Sequence, residues 1–188
     1  IIPLLEHEYH IIAVSFDGFD GSGNTTYLGA SGEAQKLARY IKEKCSGTID
    51  CLFAESLGCG PAILLKADTL VNVKHMILSG AEYMNFGIIN KLLLKFMPQK
   101  QYKIVTNLKT GEFHFPAYAL KMMGQTEEGL AKMAKAIPDN ITIKSIRETW
   151  KVGLYLYRMV DKLPIQSEAK VSSWYGEKES NMKKAIKK

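Results

Sequence analysis

Apolar residues follow two rhythms along this chain of 188 residues. In the N-terminal part they come as short unbroken runs: His10 to Phe16, Ile49 to Ala54 and Val73 to Leu78. Runs of that length, rich in β-branched residues, predict strands buried on both faces. Between the first two, Ala34, Leu37, Ala38, Ile41 and Cys45 recur at intervals of three and four, the spacing of one helix face. Ser31 is the expected cap of that helix and Ser46-Gly47 its end. A short helix is expected from Leu57 to Ala67. Strand, helix, strand, helix, strand with short connections implies a parallel sheet covered on both faces.

From Tyr83 to about Pro164 the rhythm becomes helical. Ile88, Ile89, Leu92, Leu93 and Phe96 form one apolar stripe. Leu130, Met133, Ala134 and Ile137 form a second, closed by Pro138. Ile146, Trp150, Leu154, Tyr157 and Val160 form a third. Helices inserted between parallel strands are expected to make a lid over the strand ends. Ala169 to Tyr175 reads as a returning strand, followed by Gly176 and a lysine-rich helix. The chain begins with an apolar segment instead of an initiator methionine and stops inside that helix, so it reads as an interior piece of a longer protein.

A net charge of +6 would suit nucleic acid, but its distribution argues otherwise. Much of the excess is Lys183, Lys184, Lys187 and Lys188, on what reads as a solvated helix. The arginines are Arg39, Arg147 and Arg158, with no aromatic–basic interleaving of the kind that stacks bases. No nucleic-acid partner is expected. No apolar run is long enough to span a bilayer, and no leader pattern is present. Cys45, Cys51 and Cys59 lack metal-like spacing; Cys51 and Cys59 fall at core-like positions, predicting free thiols in a reducing, cytoplasmic compartment.

The chemistry-bearing segment is Ala54-Glu55-Ser56-Leu57-Gly58-Cys59-Gly60, directly after a strand-like run. A serine flanked at two positions on either side by small residues is the pattern of a nucleophile elbow. There the chain passes from strand to helix within one residue, leaving the hydroxyl at the tip of a strained turn. Ala54 and Gly58 are expected to be small because strand and helix nearly touch. Strand, Asp-Gly-rich loop, helix, elbow, helix, strand, inserted helices, strand and acidic turn together resemble an α/β-hydrolase over nearly the whole chain. Ala54 departs from that family's Gly-x-Ser-x-Gly.

The resemblance implies an α/β fold: a mostly parallel sheet flanked by helices, divided into a core of residues 1–82, a helical cap of 83–164 and a second core part of 165–188. It implies Ser56 as nucleophile and the Leu57 N–H as an oxyanion donor. In Tyr175-Gly176-Glu177-Lys178-Glu179, Glu179 occupies the family's acid position; Glu82, after another strand end, is the alternative acid. The substrate would be a small molecule with a modest apolar acyl or alkyl group, suggested by Met84, Phe86, Leu92, Phe96, Met97, Met122, Met123 and Trp150 in the cap. No metal or organic cofactor is required.

Two family parts are missing from the sequence. One is the strand that would lie between His10–Phe16 and the strand before Ser56, with its second oxyanion donor. The other is a histidine after Glu179. Loss of the base alone costs on the order of 10⁶ in turnover. The chain by itself is therefore expected to be inactive, with both parts supplied by a longer parent. The alternative is a non-catalytic domain of the same fold that binds a ligand or a partner.

A rival motif is Gly18-Phe19-Asp20-Gly21-Ser22-Gly23-Asn24-Thr25, close to a phosphate-binding loop, but Asn24 stands where the lysine should be. Asp17 is expected to hold that loop by turn-type hydrogen bonds. His7 and His10 should start a strand, His75 should be packed, and His114 should be half-buried between Phe113 and Phe115. Cys59 is expected to be a small buried thiol.

Overall fold

The computed structural model describes residues 2–68, 70–81, 86–123, 125–160 and 169–176, without the side chains of 122–123 and 157–160. Its elements run α1 (Ile2–Leu5), α2 (Ala30–Lys44), β1 (Thr48–Glu55), a 3-10 turn (Ser56–Gly58), α3 (Cys59–Leu65) and β2 (Asn72–Ser79). Helices α4 (Ile89–Thr110), α5 (Ala117–Met123), α6 (Glu127–Ala136) and α7 (Ile143–Val160) follow, then β3 (Lys170–Trp174). The strands form one parallel sheet in the order β1-β2-β3. Ala54 is level with Leu78, and Ser79 with Trp174, so all three strands end at the same side. Among the described residues no helix is long and apolar enough to cross a membrane.

One face of the sheet carries Ala54, Met76 and Leu78, packed with Ala38 and Ile41 of α2 and Ala62 and Leu65 of α3. The opposite face carries Cys51, Phe53, His75, Ile77 and Trp174. There Cys51, Phe53 and Trp174 are exposed and the other two half-buried. Among the described residues this face, expected to be covered like the first, is covered only at its start, where Val73 is fully buried. Cys51 is exposed for the same reason, and not core-like. Cys59 is fully buried; its Sγ lies 3.4 Å from the Ala54 carbonyl oxygen and 3.5 Å from that of Ser79, tying α3 to both strands.

Residues 10 to 16 form no strand. A strand exists by pairing, and among the described residues this segment pairs with no strand; the expected third strand between it and β1 would have supplied that pairing. Ile12 and Val14 are consequently exposed. Ser31 does not cap α2. The cap is Gly29 at φ 104°, a conformation open to glycine, and its carbonyl accepts from the Glu33 N–H. The α4 stripe is also displaced: Ile88, Ile89, Leu92 and Phe96 are exposed, and the helix instead buries Asn90, Pro98 and Val105. Buried Asn90 explains the rotation. Its Nδ2 donates to the Leu154 carbonyl at 3.1 Å and its Oδ1 accepts from the Phe86 N–H, pinning α4 to α7.

Candidate functional site

Ser56 is exposed at the carboxyl end of β1 with φ 48°. One other non-glycine residue among those described, Ser46, has positive φ. Ser46 lies just beyond the C-terminus of α2, where left-handed residues commonly end helices. Ser56 instead follows a strand, so its conformation has no such local use. Holding an L-residue there costs about 1–2 kcal/mol. The preceding Glu55 is extended (φ -124°, ψ 139°) and Gly58 is already helical, so the reversal from strand to helix is confined to Ser56 and Leu57. Leu57 is half-buried and second in the turn; N–H groups at a helix start have no intrahelical partner.

The steric reason for small residues differs from expectation. A Cβ on Gly58 would lie 3.9 Å from the Ala54 Cβ, an ordinary contact. The tight position is Gly60, where a Cβ would lie 2.9 Å from Val152 Cγ1 and 3.2 Å from the Ala30 Cβ. Gly60 therefore lets α3 meet α2 and α7 closely. Gly18 is equally constrained: at φ 72° its Cβ would lie 2.7 Å from the Ser145 Oγ. Neither demand is visible in local sequence, because Val152 and Ser145 come from a distant helix.

A half-open cavity of about 560 Å³ lies over the carboxyl ends of β1 and β2. Its floor is Ser56, Leu57 and Gly80. Phe19 closes one side. Helix α4 contributes Gln101 and Val105, Ile137 and Ile141 flank α6 and α7, and α7 contributes Ile146, Thr149, Trp150, Val152 and Gly153. Among the described residues the lining contains no charged side chain. Trp150 Nε1 donates to Gln101 Oε1 at 2.5 Å, bridging α4 and α7 beside the cavity. In open parallel sheets, ligands bind at this end of the strands.

Of the other expected site residues, Glu179 and Glu82 lie outside the described residues. No histidine lines the cavity. His7 and His10 are exposed. His75 is half-buried on β2, 2.9 Å from the Ser172 Oγ. His114 is exposed, not half-buried, and faces Glu127 at 3.6 Å. Met84, Met122 and Met123 lie outside the described side chains, while Phe86, Leu92 and Phe96 are exposed and do not line this cavity.

The glycine-rich loop is organised by Asp20, not Asp17. The Asp20 carboxylate accepts from the Ser22 N–H and hydroxyl and from the Thr25 hydroxyl, and those bonds hold its pKa below the usual value. An ionised carboxylate at the centre of the loop opposes a phosphate there. Asp17 pairs instead with Lys36 of α2. Glu33, buried beside this pair, has its pKa raised, first by desolvation and further by Asp17, against the opposing charge of Lys36. Burial also pushes the Cys59 thiol up to about 11, so it is no second nucleophile at neutral pH.

No family model and no curated protein matches the chain. The structure is similar to the crystal structure of a protein from Desulfitobacterium hafniense assigned to the alpha/beta hydrolase family. The two share a TM-score of 0.63 and 16% identity over 93% of this chain and 78% of that one. The parallel sheet flanked by helices and this likeness show an α/β-hydrolase fold.

Proposed function

We propose that Ser56 is the nucleophile of a serine hydrolase that cleaves an ester-type bond carrying a small apolar acyl or alkyl group. The observation that carries this reading is the exposed, left-handed Ser56 between strand and helix, on the floor of a cavity that is uncharged among the described residues. The Ser56 Oγ attacks the carbonyl carbon, a base takes its proton, and the leaving alcohol takes that proton as the acyl–enzyme forms. Water then releases the acid. The Leu57 N–H faces the developing oxyanion, an interaction worth about 3 kcal/mol per donor. Glu179 or Glu82 orients the base. No metal or cofactor enters this chemistry. Residues 83–164 act as a cap over a core of 1–82 and 165–188. The free Cys45, Cys51 and Cys59 fit a cytoplasmic setting.

The absence of a histidine from the cavity favours a second reading, a binding domain that holds a small apolar ligand without turning it over. Chemical rescue separates the two. Treating the chain with p-nitrophenyl butyrate and free imidazole should place a butyryl group on Ser56, detected by peptide mass spectrometry, in amounts that rise with imidazole. Ser56→Ala should show none. Saturable butyrate binding with no adduct at any imidazole concentration supports the binding domain and contradicts the hydrolase.

A further inference from the structure

Helix α4 has two unlike faces. One lines the cavity through Gln101 and Val105. The other carries Ile89, Leu92 and Phe96, spaced at i, i+3 and i+7 and so on one side of a helix with 3.6 residues per turn. Ile88 and Phe86 extend this patch at the N-terminal end. All five are exposed, Ile88 by 93% and Leu92 by 58%. A contiguous apolar patch of this kind on a folded surface marks an interaction site.

The surrounding charge identifies the partner. Helix α4 contains Lys91, Lys95, Lys100, Lys103 and Lys109 and no Asp or Glu. Lys109 pairs with Asp139; the other four have no acidic partner among the described residues. Lys91 and Lys95 border the patch, and the Lys95 Nζ lies 5.3 Å from the centroid of the Phe96 ring, a cation–π contact that sets a positive charge at the edge of the patch. Apolar side chains on one face of a helix whose own charged residues are all lysines are the makings of a helix that lies in the plane of an anionic lipid surface. A second copy of this chain fits less well: a two-fold contact would bring the lysines of both copies together.

We infer that the exposed face of α4 docks the protein on an anionic lipid surface, with Leu92 and Phe96 in the acyl boundary and Lys91 and Lys95 at the headgroups. Docking does not require Ser56.

Vesicle flotation of the full 188-residue chain tests this. The chain should float with vesicles of phosphatidylcholine containing phosphatidylglycerol and remain unbound with phosphatidylcholine alone. Binding to the anionic vesicles should weaken as salt rises. Leu92→Glu with Phe96→Glu should abolish flotation; circular dichroism should stay unchanged, because both side chains are exposed. Lys91→Gln and Lys95→Gln should each lower the partition coefficient about fivefold. Ser56→Ala should float like the parent chain, so failure of the hydrolase reading leaves this result standing. The inference is overturned by absence of flotation with anionic vesicles at low salt, or by flotation indifferent to the Leu92 and Phe96 changes. It is also overturned by a dimer in solution that those changes dissociate.

Discussion

Ser56 holds an unfavourable backbone conformation to place one hydroxyl over the cavity floor, and that cost is measurable. Ser56→Gly should raise stability by about 1 kcal/mol in denaturant unfolding, because glycine accepts positive φ freely. Ser56→Ala keeps a Cβ in the same conformation and should leave stability nearly unchanged. Its neighbours separate by sterics. Gly60→Ala should cost about 1–3 kcal/mol through overpacking against Val152 and Ala30. Gly58→Ala should be tolerated, since an added methyl would meet only ordinary contacts with Ala54 and Phe16. The elbow was legible in sequence because strand, serine and small residues are adjacent there. Gly60 and Gly18 were not, since the atoms that forbid a side chain belong to residues far along the chain. Native-state alkylation should modify Cys51 and spare Cys59, whose thiol is buried and protonated.

At the scale of elements, helices and paired strands were readable wherever periodicity matched the face that packs. Strands β1 and β2 and the buried stripe of α2 emerge close to expectation. The segment from His10 to Phe16 does not, because apolar, β-branched content makes a strand only when a neighbour supplies hydrogen bonds. The α4 stripe was misread because buried Asn90 and Pro98 carry no apolar signal, although Asn90 sets the rotation of the helix against α7. Helix α2 carries a pH-dependent element. Desolvation keeps Glu33 protonated to higher pH in the fold than its ordinary 4.5. Its contribution to stability is therefore complete below 4.5 and is lost as pH rises through the raised folded value. Thermal unfolding across pH should show Glu33→Gln removing that decline, and the variant should melt higher than the parent chain at pH 7.

At the scale of the molecule, function depends on assembling parts distant in sequence: the end of β1, the loop at Phe19, and helices α4 and α7. The fold was legible because strand–helix alternation and the elbow are local patterns. The cavity was not, because which apolar residues of α4 and α7 turn inward depends on packing. Trp150→Ala should enlarge the cavity and break the bridge to Gln101, shifting the preferred ligand toward longer acyl chains in a competition series of fatty acids. The most direct test of the central claim is a crystal structure of the chain with a short alkylboronic acid, which bonds an accessible serine oxygen. Boron should be joined to Ser56 Oγ, with the alkyl group between Phe19 and Trp150. Boron bound at another side chain, or a Ser56 hydroxyl enclosed away from the cavity, would contradict that claim.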